Sequence, residues 1–411
     1  VTSPVRIAIT GLGVFCAAGK DSAAYRASLL NGVSAIGPLE LFDTTGFPSR
    51  IAAQIKDFQP EELFSPQERR HLSRTDQIAL LAAQEAVAMS GLTQAYDPYE
   101  VGICIGGGVG GMLHAEQWLQ AELAGQPASP GLLRTLLPDC STTALARAFG
   151  FGGYQGSITT ACSSSATAIG WSADLIRSGR QQAMLCGGAD ALARLTFAGF
   201  NALKVLDPQP CAPFSAGRQG LSLGEGAAFF VLEEEQAALA RGARILGYLL
   251  GYALLGEAHH MTAPEPSGMM AAAVMQAALA AAGVTTDQVG WINAHGTGTP
   301  LNDAVESQAV KQVFGQRALQ VPLVSTKPIT GHCLGAAGAI EALATLLCLN
   351  QGMIPQTLHF RGPDPECDLE YCHGGSRASS SRIALSNSFA FGGNITSLVL
   401  EAAPPGGEVR P

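Results

Sequence analysis

One α/β pattern occurs twice in this chain. DQIALLAAQEAVAMSG (76–91) is an alanine-rich helical stretch closing at Gly91, and the strand pattern VGICIGGG (101–108) follows it. AAAVMQAALAAAG (271–283) closes at Gly283 in the same way and leads into VGWINAHGTG (289–298). A second pair matches SSSATAIGWSADLIRSG (163–179), which opens just after Cys162, with GHCLGAAGAIEALATLLCLNQG (331–352). Both of these open on a glycine- or serine-rich turn and close at a glycine, Gly179 or Gly352, as helices do when they end in the left-handed conformation. Repetition of one unit predicts a pseudo-duplicated α/β fold, with halves over 1–245 and 246–411. Small residues on the second pair (Ala166, Ala168, Gly170 and Ala173; Ala336 to Ala339) predict helices buried between layers.

Composition agrees with such a packed fold. Of 411 residues 47% are hydrophobic and 14% charged, and 49 are glycine. A net charge of −9 excludes the basic field that a nucleic-acid partner needs. It leaves room for an acidic protein docking on a local basic patch. The ten cysteines are scattered without C-x-x-C or metal-ligand spacing, which predicts reduced thiols in a cytoplasmic protein. No apolar stretch reaches the length of a membrane span, and the N-terminus enters a strand pattern with no signal-like run. RIAITGLGVF (6–15) predicts a strand followed by a glycine turn; Cys16 holds the third glycine position of a dinucleotide loop, so a structural turn is expected there.

TTACSSSATA (159–168) sets Cys162 at a helix start among small neighbours. Taken alone, such a cysteine is an inert buried thiol. At the positive end of a helix, however, backbone N–H groups favour thiolate, which predicts a lowered pKa and an activated nucleophile. His295 lies in NAHGTGTPLND and His332 in STKPITGHCLGAAGA, both in turns free of bulky side chains where backbone can approach a ligand. By the internal echo His332 takes the place in the second half that Cys162 takes in the first, so two helix N-termini point both at one centre. Zinc is disfavoured, because the spacing fits no common zinc pattern and the neighbours are glycines.

Four motifs in order, TTACSSSA, NAHGTGTPLNDAVES, STKPITGHCLGAAGAIEA and SNSFAFGGN, resemble the β-ketoacyl synthase family, the condensing enzymes of fatty-acid and polyketide synthesis, and most closely the stand-alone synthase II type. The resemblance implies a thiolase-like fold with five layers, α-β-α-β-α. It implies an acyltransferase in which Cys162 takes an acyl chain from a carrier-protein thioester, with no cofactor and no metal. His295 and His332 then stabilise the enolate left when malonyl-carrier protein loses CO2, and that enolate attacks the acyl-Cys162. Lys327 matches the family's buried lysine and Glu341 its carboxylate partner. The backbone N–H groups of Cys162 and Phe391 are implied as the oxyanion hole, with Phe389 and Phe391 forming a gate. Thr297 and Thr299 match the malonyl and pantetheine site, and His260 and Thr262, in EAHHMTAP, match the tunnel mouth. Val109 falls where relatives border the acyl pocket.

The same resemblance implies a dimer, either a homodimer or the active ketosynthase of a heterodimer with a chain-length factor. It also assigns Arg69, Arg70 and Arg74 in SPQERRHLSRTD to docking the acidic carrier protein. Two departures stand out: Ala390 replaces the usual glycine between the phenylalanines, where its Cβ would restrict positive φ, and GGNIT replaces GGTN. A CoA-dependent thiolase needs a second cysteine near the C-terminus, where this chain has Phe391 and two glycines. A non-condensing partner subunit would lack the nucleophile that Cys162 supplies.

Overall fold

The computed structural model describes residues 5–403 apart from 128, 129 and 138. Ten strands form its main sheet. The first half contributes β1 (Ile7–Cys16), β2 (Val101–Gly106), β3 (Gln155–Ile158), β4 (Ala183–Asp190) and β5 (Gly226–Glu234). The second contributes β6 (Gly247–Gly256), β7 (Val289–Asn293), β8 (Leu323–Val324), β9 (Ile383–Phe389) and β10 (Asn394–Ala402). Their order from edge to edge is β8-β7-β9-β10-β6-β1-β5-β4-β2-β3. Outward from the central β1–β6 pair, the halves run β1-β5-β4-β2-β3 and β6-β10-β9-β7-β8, one order used twice.

The copies agree even in a defect. Thr10, fourth in β1, is an extra residue against β5, and Leu250, fourth in β6, is an extra residue against β10. A bulge adds local twist, so both halves turn at the same point beside the central pair.

Five helices complete the frame: α1 (Arg74–Ser90), α2 (Ser164–Arg177), α3 (Met269–Ala282), α4 (Pro300–Phe314) and α5 (Ala337–Asn350). Helices α2 and α5 touch one another and strands of both halves, so they form the middle layer. Helix α1 covers β1, β5 and β4 on one outer face, while α3, backed by α4, covers β6, β10 and β9 on the other. The layers therefore read α-β-α-β-α. Among the described residues no helix is long and apolar enough to cross a membrane.

Two expectations change. Strand β1 runs unbroken through Gly11 and Gly13 instead of ending there. A Cβ on either glycine would lie 2.2 or 2.0 Å from a carbonyl oxygen of Ala86 or Ala82, so these glycines let α1 press onto the strand. The internal echo also shifts by three residues. Helices α2 and α5 each have 14 residues and each follows a three-residue 3-10 turn, Ala161–Ser163 and Leu334–Ala336. Both turns open on a left-handed non-glycine residue, Ala161 (φ 48°) and Leu334 (φ 51°). The strict counterpart of Cys162 is therefore Gly335, and His332 precedes its turn.

Candidate active site

Cys162 sits at the end of the crossover from β3 into α2, on a turn held by the hydroxyls around it. The Ser164 hydroxyl donates to the Ala161 carbonyl (2.6 Å) and accepts from the Thr160 N–H (2.9 Å), and the Ser163 hydroxyl donates to the Thr160 carbonyl (2.9 Å). Ser165 reaches across the middle layer and accepts from the Ala339 N–H of α5 at 2.9 Å. The serine triplet thus offsets the cost of the left-handed Ala161 and ties the two central helices together.

His332 enters from the other half. Its N–H donates to the Ser222 carbonyl (2.7 Å), and its ring Nδ1 accepts from the Leu334 N–H at 3.2 Å. A backbone N–H can only donate, so the neutral ring carries its proton on Nε2. That atom lies 3.1 Å from Cys162 Sγ.

His295 leaves the end of β7 in a loop gripped by α4. Glu306 accepts from the His295 and Gly296 N–H groups, each at 2.9 Å, and Asp303, one turn earlier, accepts from Gly298 (3.1 Å) and Phe214 (2.8 Å). Behind the ring stands the buried Lys327 ammonium, which donates to the His295 carbonyl and Glu341 and lies 3.4 Å from His295 Nδ1. An ammonium has no acceptor, so it too leaves the imidazole proton on Nε2. The two rings stand 5.5 Å apart at 85°, and their ring nitrogens group with Cys162 Sγ within 4.8 Å.

Burial governs the electrostatics. It holds both imidazoles well below their usual range, and the Lys327 charge adds to the effect, so both rings are neutral donors at neutral pH. Burial pushes Glu341 up to about 7 while Lys327 pulls against it. It also pushes the Cys162 thiol up to about 11, although Lys327 and the Phe391 N–H favour the thiolate. The expectation of a lowered thiol pKa is therefore corrected: desolvation outweighs the Lys327 charge and the Phe391 N–H. Alkylation of Cys162 by iodoacetamide is expected to rise about tenfold per pH unit from about pH 7 to about pH 10; a plateau below about pH 9 would contradict this. A metal ion fits poorly, since it would have to stand between a sulfur and a nitrogen already in hydrogen-bond contact.

Cys162, His295 and His332 line one cavity of about 300 Å3, with Thr297, Thr299, His260, Thr262, Phe389 and Phe391. The Thr297 and Thr299 hydroxyls are 3.0 Å apart. His260 lies on the exposed rim, where its Nδ1 accepts from the Thr262 (3.1 Å) and Ala263 (3.2 Å) N–H groups. Phe389 leans on His295, and Phe391 stacks on Phe200 with ring centres 6.0 Å apart. Left-handed backbone falls on Gly392 and Gly393 (φ 85° and 78°), so Ala390 carries its Cβ without that strain.

Two candidates part from the cluster. Val109 lines a separate cavity of about 80 Å3 together with Ile158 and Thr159, not the one that holds Cys162. Arg74 does not belong to an exposed docking patch: its side chain is 12% exposed and grips the fully buried Glu225 through two hydrogen bonds, 2.9 and 2.6 Å. Arg70 is exposed, and Arg69 is part-exposed and pairs with Glu61 at 3.1 Å. Sequence reasoning passed over Glu306, although Asp303 and Glu306, three apart in the first turns after Pro300, are carboxylates aligned on one helix face toward the His295 loop.

Comparison with known proteins places this geometry. The profile described as "Beta-ketoacyl synthase, N-terminal domain" matches residues 5–238, and "Beta-ketoacyl synthase, C-terminal domain" matches 246–361. The chain is 36% identical over 406 residues to the 3-oxoacyl-[acyl-carrier-protein] synthase 2 of Synechocystis sp., covering 96% of this chain and 98% of that one. It is 36% identical over 392 residues to Nodulation protein E of Rhizobium meliloti, covering 94% and 97%. The solved ishigamide ketosynthase/chain length factor superposes with TM-score 0.93 at 36% identity, covering 98% of this chain and 100% of that one. A type II polyketide ketosynthase solved with its acyl-carrier protein gives TM-score 0.88 at 30% identity, covering 98% and 100%. With the two domain profiles together spanning most of its length, the chain belongs to the β-ketoacyl synthase family.

Proposed function

We infer that this chain catalyses decarboxylative Claisen condensation on carrier-protein thioesters, as a β-ketoacyl-[acyl-carrier-protein] synthase. The observation that carries the reading is the pair of neutral imidazoles, each with its proton held on Nε2, beside one buried thiol. In the first step Cys162 Sγ attacks the acyl thioester, the carbon–sulfur bond to the carrier breaks, and the carrier leaves as a free thiol. The charge on the tetrahedral oxygen is met by the Cys162 and Phe391 backbone N–H groups. In the second step malonyl-carrier protein loses CO2, and the electron pair of the broken carbon–carbon bond becomes an enolate. The Nε2–H groups of His295 and His332 donate to its oxygen without being charged beforehand, and Thr297 and Thr299 position the malonyl arm. The enolate carbon then attacks the acyl-Cys162 carbonyl, giving β-ketoacyl-carrier protein and a thiolate that regains a proton.

Phe389 and Phe391 line the cavity and serve as its gate, and the exposed His260 and Thr262 serve as its entrance. Arg69 and Arg70 remain the docking candidates for an acidic carrier. The halves divide at 245/246, the first bringing Cys162 and the second both histidines. No cofactor is required beyond the carrier's own arm, and the site of action is the cytoplasm.

Incubation with a panel of acyl-carrier proteins of graded chain length, followed by intact-mass measurement, is expected to show one acyl adduct on Cys162. Absence of any adduct across the panel sinks the reading. A second assembly is supported by the likeness to the ishigamide ketosynthase/chain length factor: this chain as the active half of a heterodimer. Native mass spectrometry of the chain co-expressed with the proteins encoded beside it separates that from a homodimer.

A further inference from the structure

The end of β4 carries a carboxylate for which the reaction has no evident use. Asp190 is fully buried, and its oxygens face backbone rather than solvent. Oδ1 accepts from the Val109 N–H at 2.7 Å, Oδ2 accepts from the Gly335 N–H at 2.7 Å, and the Gly108 N–H is shared between the two at 3.1 and 3.0 Å. One carboxylate from the first half thus clasps the loop after β2 to the 3-10 turn that opens α5 in the second.

That turn is the one that sets His332. Leu334, the residue before Gly335, takes the left-handed conformation at φ 51° and points its N–H at His332 Nδ1. A non-glycine residue keeps such a backbone only when its surroundings enforce it. The Asp190–Gly335 bond ties the adjacent residue of that turn to the first half, and it needs a glycine: a Cβ at position 335 would meet Asp190 Oδ2 and the Gly107 backbone, both at 2.8 Å. Leu334 and Val109 also share one apolar cluster, so both ends of the clasp are packed together.

We propose that Asp190 is a positioning residue for His332, holding the Leu334–Ala336 turn so that the Leu334 N–H keeps the His332 proton on Nε2, facing Cys162. It touches no reacting atom and acts through the turn. The kinetic consequence rests on the condensation reading above, whereas the tautomer does not.

Asp190→Asn separates the effects. The amide oxygen keeps Gly108 and Val109 by turning toward them, which leaves its NH2 against the Gly335 N–H, two donors face to face. Two-bond 1H–15N correlation spectra of histidine-labelled protein are expected to show His332 with Nε2 protonated in the parent and a mixture of tautomers in the variant. With malonyl-carrier protein, kcat for decarboxylation is expected to fall about 10–100-fold, the scale of a slightly misplaced group, while KM changes less than about twofold. Gly335→Ala retains the carboxylate and displaces the same bond by steric contact; it is expected to reproduce both effects and decides the matter should Asp190→Asn not fold. A folded variant with the parent's tautomer and kcat overturns the proposal. A parent that decarboxylates nothing overturns the condensation reading instead, and the spectra still decide the role of Asp190.

Discussion

Cys162→Ala is expected to abolish condensation while decarboxylation of malonyl-carrier protein continues. The split follows from which group meets which charge. Sulfur is needed to hold the acyl chain, and with it gone the condensing rate falls by roughly 10^4-fold or more. Enolate formation needs only the two Nε2–H groups, and these are set by Leu334 and Lys327, not by the thiol. His332→Ala is expected to behave differently: Cys162 still accepts an acyl group, and decarboxylation drops by about 10^2–10^3-fold, the usual loss for one oxyanion donor. Product and CO2 release are measured separately, with radiolabelled malonyl-carrier protein. Loss of CO2 release in Cys162→Ala would mean that the thiol takes part in the step assigned here to the imidazoles.

The second large effect is on stability. Lys327→Ala strips the buried Glu341 of its cation, and breaking a buried pair from one side costs about 3–5 kcal/mol. Both side chains are almost fully buried, so water cannot make up the loss. A urea titration is expected to show the midpoint shifted downward by a corresponding amount with an unchanged slope. Lys327→Met combined with Glu341→Leu removes both charges and is expected to regain at least about half of the loss, because an apolar pair of similar volume packs where an ion pair stood. The double variant remains impaired in decarboxylation, since nothing then fixes the His295 proton. Equal stability of the single and double variants would show that the pair does not carry the burial cost described.

How much of this was legible beforehand depended on whether the signal was local. Helix ends at Gly91, Gly179, Gly283 and Gly352 and the matching strands exposed the duplication, because capping and periodicity are written in neighbouring residues. Cys162, His295 and His332 stood out because polar groups in small-residue turns have few structural uses. The matched bulges at Thr10 and Leu250 left no mark, since register is a property of two strands. Arg74 was misassigned because its partner Glu225 lies 151 positions away. The thiol pKa was misjudged for a related reason: the helix start is visible in TTACSSS, but the depth of burial that opposes it is assembled from both halves. Asp190 gave no sign at all, being one acidic residue after an apolar strand. Gly11 and Gly13 were visible and misread, since a glycine that allows a turn and one that allows a helix to press close look alike in one dimension.

The central β1–β6 pair has a consequence for how the chain can be recut. Strand β6 lies between β1 and β10, with Ile7 opposite Leu249 and Ala402 opposite Gly247. Along the chain, the first strand therefore begins and the last one ends on either side of the point where the second repeat begins, about 10 Å apart across two strand spacings. A short loop would bridge that gap, and a new start before Gly247 would leave each repeat whole, so circular permutation there is expected to exchange the order of the halves while leaving Cys162, His295 and His332 in one cavity, which acyl-adduct formation on Cys162 would check.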